Sequence, residues 1–162
     1  MTLGSWQALF AAQAGVSAAL TGLVFVALSI NLSQILAGTG LAGRAGEALV
    51  LLLYPVITGL LGTSPQSSFR AVGVEFTVVA LVVLAAVSRI LWSARLAARE
   101  RPRYEYLSRV SVGLLPVLAA VVGGVMLAAG VTGGIWIELT STILCLISGV
   151  TDAWILLVEI MR

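Results

Sequence analysis

The chain has 162 residues, of which 60% are hydrophobic and 10% are charged, and its formal net charge is +2. Its mean hydropathy of +1.11 is far above that of a soluble domain. Such a composition leaves little material outside a membrane. We therefore expect an all-α integral membrane protein with a single transmembrane domain over residues 1–162 and the lipid bilayer as its main partner.

The missing residue types exclude several kinds of chemistry. All nine basic residues are arginines, and the chain contains neither lysine nor histidine. It therefore cannot form a lysine Schiff base, a P-loop, a histidine-ligated haem, an HExxH zinc site or a Ser-His pair. Cys145 is the single cysteine, which excludes a CxxC pair. We expect no enzyme activity, no catalytic residue, no metal site, no cofactor and no nucleic-acid partner.

Five apolar runs are long enough to cross a bilayer, which takes about 20 apolar residues per helix. They lie at residues 9–36, 45–61, 71–91, 110–129 and 135–160. Glycine- and proline-containing segments separate them. An odd number of spans places the two termini on opposite sides of the membrane.

The arginines predict the orientation of these spans. Five of them surround the connection between the third and fourth spans: Arg95, Arg99, Arg101, Arg103 and Arg109. Since arginine-rich connections stay in the cytoplasm, we predict an outer N-terminus and an inner C-terminus. The abundance of Ala, Val, Gly and Arg without Lys suggests a GC-rich bacterial source, so the expected location is the bacterial plasma (inner) membrane, as a multi-pass protein.

The first span has a polar face that two aliphatic side chains interrupt. The polar residues are Gln13, Ser17, Thr21 and Asn31. They lie within about 80° of one another on a helix, and Val24 and Leu28 fall between the last two. This face suits a water-filled pore with a hydrophobic gate, and it equally suits hydrogen bonds between packed helices. Both readings stay open.

The opposite face of the first span carries small residues. They are Ala11, Gly15, Ala18, Ala19 and Gly22. Small side chains allow two helix backbones to approach closely in a membrane. We therefore predict close helix packing on this face.

The second and third spans resemble the fourth and fifth when the sequence is offset by 61 to 63 positions. The matched pairs are Pro55 with Pro116, Gly62 with Gly123, Glu75 with Glu138, and Arg89 with Asp152. One hypothesis is a duplication of residues 45–93 and 107–156, which would give one leading helix and two parallel-repeat helical hairpins. The other is chance similarity between apolar segments.

Ionisable residues occur inside the third and fifth spans, where an unpaired charge is expensive. Glu75 and Arg89 lie fourteen residues apart, as do Glu138 and Asp152. If the two helices run parallel, Arg89 is level with Asp152 and Glu75 is level with Glu138. We predict a buried ion pair between Arg89 and Asp152, with Glu47 as a competing partner, and an outer acidic pair of Glu75 and Glu138.

The fifth span carries a continuous polar line. Its members are Glu138, Ser141, Cys145, Ser148, Asp152 and Glu159. They step forward by 3, 4, 3, 4 and 7 residues, a spacing that keeps one face of an α-helix. This face is reserved for protein, water or an ion pathway, and it is a second candidate lining for a pore.

One segment carries a resemblance to known proteins. The matching residues are the run from Gln13 to Leu32, then Arg44 and Glu47, Ala48 and Leu49. They resemble small uncharacterised bacterial polytopic membrane proteins, some of which are automatically labelled modulators of an FtsH-type membrane protease. The resemblance covers mainly the first 50 residues, and it implies a role as an accessory subunit without assigning a role to any residue.

The sequence favours an oligomeric membrane pore or ion channel that prefers cations. Polar faces on two helices, matched outer acids and a hydrophobic gate support this hypothesis. The alternative is an accessory or regulatory subunit of a larger membrane complex such as a membrane protease. A third hypothesis is a small-solute carrier, which rests on the repeat and on Arg89 with Asp152.

Overall fold

A computed structural model describes residues 3–38, 40–65, 68–97 and 103–160, and for residues 3, 97, 103–109 and 160 it describes the backbone alone. Every regular element in these ranges is a helix. A 3₁₀ turn, Leu3–Trp6, leads into six α-helices. They are α1 (Gln7–Ile30), α2 (Leu32–Ala37), α3 (Leu41–Thr63), α4 (Phe69–Ala97), α5 (Arg103–Ala128) and α6 (Gly134–Ile160).

Five of these helices are long and apolar enough to cross a membrane, as the hydropathy pattern predicts. The spans are Gly4–Ile30, Leu41–Thr63, Phe69–Leu96, Val110–Ala128 and Gly134–Glu159. This is the pattern of a multi-pass helical membrane protein.

The helix boundaries differ from the predicted ones around the connection between the first two spans. The first predicted helix breaks at Asn31, whose side-chain Nδ2 donates to the carbonyl of Ala27 at 2.9 Å, and a short helix α2 follows. The second span begins at Leu41, earlier than predicted, because Gly40 adopts a left-handed φ of 84° that turns the chain directly into α3.

The arginine-rich connection is described in part. Helix α4 continues beyond the apolar run to Ala97 and includes the exposed Arg95, and α5 begins at Arg103. Arg99 and Arg101 lie outside the described residues, as do the side chains of Arg103 and Arg109.

Helices α3, α4, α5 and α6 form a four-helix ring in which each helix packs on its two neighbours in chain order, and α6 closes the ring against α3. Helix α1 lies outside the ring, mainly against α3. Consequently α3 faces α5, and α4 faces α6, across the diagonals of the ring.

Tryptophans mark the two ends of the bundle. Trp6 and Trp136 stack edge to face with ring centroids 5.1 Å apart at one end, here called the N-side. Trp92 and Trp154 are exposed toward the other end, here called the C-side. Trp136 and Trp154 lie eighteen residues apart on α6, a rise of about 27 Å. That separation matches the hydrocarbon thickness of a bilayer, at whose surfaces tryptophans concentrate.

Glycines allow the closest helix contacts. A Cβ atom at Gly59 would lie 2.8 Å from the backbone nitrogen of Ala14, which places α1 directly against α3. A Cβ atom at Gly123 would lie 3.0 Å from Cγ of Glu138, which places α5 directly against α6. Both contacts flank the candidate site described next.

Candidate functional site

The predicted polar line of α6 lies inside the chain. Its buried members are Glu138, Ser141, Cys145, Ser148 and Asp152. Glu159, the last residue of the line, is exposed near the C-side. The polar face of α6 therefore points toward α3 and α5.

Two serines of this line bond to backbone carbonyls of α5 around Pro116. Ser141 donates to the carbonyl of Pro116 at 2.8 Å, and Ser148 donates to the carbonyl of Val112 at 3.0 Å. Because proline has no N–H, Pro116 leaves the Val112 carbonyl without its helical donor. Ser148 supplies the missing hydrogen bond, which is how membrane helices accommodate an internal proline.

The polar face of α1 also forms hydrogen bonds within the chain. Gln13 donates through Nε2 to the carbonyl of Pro55 and to Oγ1 of Thr58, both at 3.0 Å. Ser17 is buried, and its Oγ has no hydrogen-bond partner among the described residues. Thr21 donates to the carbonyl of Ser17 at 2.7 Å, and Asn31 likewise bonds within its own helix.

The two residues predicted to form a gate pack as ordinary core residues. Leu28 is buried with Ile35, Ala45 and Leu156, and Val24 packs against the same cluster. This cluster joins α1, α2, α3 and α6 near the C-side, so both side chains pack against apolar neighbours of the same chain.

The small-residue face of α1 points away from the rest of the chain. Its members Ala11, Gly15, Ala18, Ala19 and Gly22 are exposed. Among the described residues, no atom of another helix lies within 4 Å of a Cβ placed at Gly15 or Gly22. Within one chain α1 turns its polar face toward α3, and the close packing expected on the small-residue face stays a prediction.

Glu138 is the centre of a polar cluster between α3 and α6. It is 4% exposed, and its Oε2 accepts a hydrogen bond from the hydroxyl of Tyr54 at 2.7 Å. Its Oε1 is buried and makes no hydrogen bond within the described part of the chain. Thr58 donates to the carbonyl of Tyr54 at 3.0 Å and so links this cluster to Gln13.

A cavity of about 10 Å³ adjoins the cluster. Its lining residues are Trp6, Leu9, Phe10, Gln13, Thr58, Phe76, Ile135, Glu138, Leu139 and Thr142. The volume is enough for about one water molecule. Aromatic side chains of the N-terminal segment cover it on the N-side, whereas its polar lining comes from α1, α3 and α6.

Three members of this site were not predicted from the sequence: Tyr54, Thr58 and Thr142. Thr142 follows Glu138 by four residues and therefore shares its helix face, a signal that the sequence already carries. Tyr54 and Thr58 also lie four residues apart, but nothing in the sequence shows that this face of α3 meets α6.

Two further carboxylates are buried nearer the C-side. Glu47 is 0% exposed and Asp152 is 5% exposed. A Cβ atom at Gly113 of α5 would collide with Oε1 of Glu47, so this carboxylate lies close to the backbone of α5 in the ring interior.

An apolar core separates the Glu138 cluster from these C-side carboxylates. Its buried members are Leu51, Tyr54, Ala80, Val83, Val87, Leu91, Val117, Ala120 and Cys145. The ring interior therefore has polar groups on both sides of an apolar layer.

The predicted ion pair of Arg89 and Asp152 is not formed. Both residues are described, and Arg89 is exposed on α4 whereas Asp152 is buried on α6. Arg89 lies on the exposed face of α4, away from the ring interior in which Asp152 is buried. Among the described side chains, Arg44 and Glu159 form a salt bridge at 3.0 Å. Glu75, on α4, is partly buried and lies on the helix diagonal to Glu138.

Comparisons with known proteins do not help to interpret the site. The chain matches no family model, no curated protein and no solved structure.

Proposed function

We propose that this protein transports a small cation across the bacterial plasma membrane, through the interior of the bundle. The observation that carries the proposal is Glu138, a carboxylate buried within a membrane span, bonded to Tyr54 and lining a water-sized cavity. Ionisable groups inside a membrane are costly and usually mark ion or proton pathways.

The arrangement of polar groups supports an ion pathway that the apolar core closes halfway across the bundle. Glu138 lies on the N-side of the apolar core, and Glu47 and Asp152 lie on its C-side. A cation would enter at Glu138 and leave past the C-side acids when the helices rearrange. With the arginine-rich connection in the cytoplasm, Glu138 would face the outside of the cell.

The proposed pathway lies within one chain rather than between copies. A central pore would need the polar faces of α1 and α6 to point toward a shared axis. In the structure, Gln13, Ser141 and Ser148 from these faces are bonded to neighbouring helices of the same chain. Cation preference, which the sequence also favours, follows from the three buried acids.

Flux measurements in sealed liposomes test this proposal. Purified protein should pass protons or alkali cations down a gradient, and Glu138→Gln should lower the rate at least about tenfold, equal to about 1.4 kcal/mol in the barrier. Glu159→Gln is the matched control, because it removes an exposed acid from the same helix. Equal flux in both variants, or none in the unmodified protein under any gradient, pH or voltage, would refute transport.

A second candidate is an accessory subunit of a larger membrane complex, such as a membrane protease, or a homo-oligomer. The exposed small-residue face of α1 favours it, since such faces suit close packing with a helix of another chain. Gly15→Leu combined with Gly22→Leu should then abolish the association seen by crosslinking in membranes. Val16→Leu is the control, because Val16 is exposed and lies outside the small-residue face.

A further inference from the structure

We infer that the transported cation is a proton, and that Glu138 carries it as a neutral carboxyl group. This inference rests on the proposed function and names the ion for the same site. Binding forms one O–H bond on the carboxylate and cancels its negative charge, and release breaks that bond and returns the proton to water. The structure then corresponds to the form in which the bound proton is enclosed.

The carboxyl group of Glu138 has no positive charge beside it. Glu138 is 4% exposed and makes no salt bridge within the described part of the chain. Of the arginines whose side chains are described, Arg44 pairs with Glu159 and the others are exposed. An ionised carboxylate that is buried without a counter-ion is so costly that such a group takes up a proton instead.

Two titratable side chains lie near Glu138. The hydroxyl of Tyr54, from α3, donates to Glu138 Oε2 at 2.7 Å. Cys145 is buried about two turns further along α6. Neither side chain is positively charged in any protonation state, so neither can act as a counter-ion to the carboxylate.

The other neighbouring helices present uncharged groups to Glu138. Gly123 of α5 packs against its side chain, and Gln13 of α1 and Phe76 of α4 line the same cavity. Glu75 adjoins Phe76 on α4 and is an acid, so it brings no positive charge either. The surroundings of Glu138 in the described ranges therefore favour its neutral form.

The hydrogen bonds decide which oxygen carries the proton. In a neutral carboxyl group, one oxygen is a hydroxyl and the other is a carbonyl acceptor. Glu138 Oε2 accepts the hydrogen of Tyr54, so it is the carbonyl oxygen, and the proton lies on Oε1. Oε1 is buried and has no hydrogen-bond partner among the described side chains and backbone groups. The proton is thus enclosed on that atom.

The cavity beside Glu138 suits a proton rather than a metal ion. Apolar side chains supply most of its lining, and its volume is about 10 Å³. A metal ion needs several oxygen atoms to replace its water shell, whereas a proton needs a single oxygen. A cavity of this size holds about one water molecule, which can deliver or accept a proton when the carboxyl group turns toward it.

Infrared spectroscopy of the purified protein in liposomes tests the protonation of Glu138. At neutral pH the protein should show the carbonyl band of a protonated carboxylic acid, and Glu138→Gln should reduce it by the intensity of one carboxyl group. Glu159→Gln is the matched control and should leave the band unchanged, because Glu159 pairs with Arg44 as a carboxylate. Tyr54→Phe should move the band to higher frequency, because the carbonyl oxygen loses its hydrogen bond.

Proton flux into the same liposomes tests the identity of the ion. A pH-sensitive dye reports the flux, with equal potassium on both sides and valinomycin to hold the membrane potential at zero. The flux should be the same when sodium is replaced by N-methylglucamine, and Glu138→Gln should lower it at least about tenfold. Glu138→Asp keeps a protonatable group and should retain more flux. Without valinomycin, uptake of radioactive sodium or rubidium should equal that of protein-free liposomes.

Two outcomes would overturn the inference alone. The first is a carboxylic acid band that Glu138→Gln leaves unchanged, and the second is sodium or rubidium uptake that depends on Glu138 without proton flux. In the second case the proposed transport function stands. If no ion crosses the membrane, the proposed function is refuted and proton transport with it, even where the band shows a protonated Glu138. If Glu138→Gln fails to fold, the band shift in Tyr54→Phe and the ion series on the unmodified protein decide.

Discussion

The α1–α3 contact at Pro55 and the α5–α6 contact at Pro116 are built from the same kinds of residues but differ in their hydrogen bonds. In both, a polar side chain of the neighbouring helix donates to the proline carbonyl, Gln13 in one contact and Ser141 in the other. In both, a glycine permits the close approach of the backbones, Gly59 in α3 and Gly123 in α5.

The two contacts differ in where their hydrogen bonds lead. At Pro116, the serine hydroxyls of α6 bond to α5 carbonyls, one of which the proline had deprived of its donor. At Pro55, the hydrogen bonds continue from Gln13 through Thr58 and Tyr54 to Glu138 and a cavity. A polar face on a membrane helix is therefore not itself a pore. The candidate site is where that face meets a carboxylate oxygen that no described group satisfies.

The largest expected effect comes from filling the glycine contacts. Gly59→Leu and Gly123→Leu should each destabilise the protein by about 1–3 kcal/mol, because the added side chain has no space against the facing helix. Unfolding in mixed micelles with increasing SDS measures this cost. Gly15→Leu, on the exposed face of α1, is the control and should change stability little. Similar losses for all three would mean that helix propensity, not packing, sets the effect.

The next prediction concerns the hydrogen bond from Tyr54 to Glu138, whose loss should lower the stability of the protein. Tyr54→Phe leaves Glu138 Oε2 without its donor and should cost up to about 1.7 kcal/mol, the upper end for hydrogen bonds between membrane helices. In a double-mutant cycle with Glu138→Leu, this cost should largely disappear, since the carboxylate that needed the donor is gone. Additive losses in the double mutant would show that the two groups do not interact.

A smaller effect is expected at Pro116. Ser148→Ala should cost about 0.6 kcal/mol and at most about 1.7 kcal/mol, the range for hydrogen bonds between membrane helices. In a Pro116→Ala background the cost should vanish, because the new N–H at position 116 can bond the Val112 carbonyl. The same SDS titration measures both. An unchanged cost would mean that Ser148 acts through packing.

The smallest expected effect is at the C-side surface. Arg44→Gln breaks the salt bridge to Glu159, whose side chain is 43% exposed, and should cost less than about 1 kcal/mol. The loss should shrink as salt rises, because salt screens exposed charges. Unfolding at low and high ionic strength checks this, and a large, salt-independent loss would contradict an exposed pair.

The helix pattern and the buried polar face of α6 could be predicted because each depends on residues close together in the chain. Hydropathy runs locate five spans, and the periodicity of Glu138, Ser141, Ser148 and Asp152 places them on one face. The pairing of Arg89 with Asp152 depends on which face of α4 points into the ring. The linear sequence does not show that Arg89 lies on the exposed face of that helix.

The sequence by itself determined that the chain forms helices long and apolar enough to cross a membrane and that the polar face of α6 is buried. The reason is that burial of polar groups in hydrocarbon is costly wherever a helix lies. Only the tertiary structure decided which polar residues meet. Tyr54 reaches Glu138 across 84 positions of sequence, and Gln13 reaches Pro55 across 42. Those contacts depend on which helix faces pack together. The packing makes the contact at Pro116 a structural one, and it places the contact at Pro55 beside the candidate cation site.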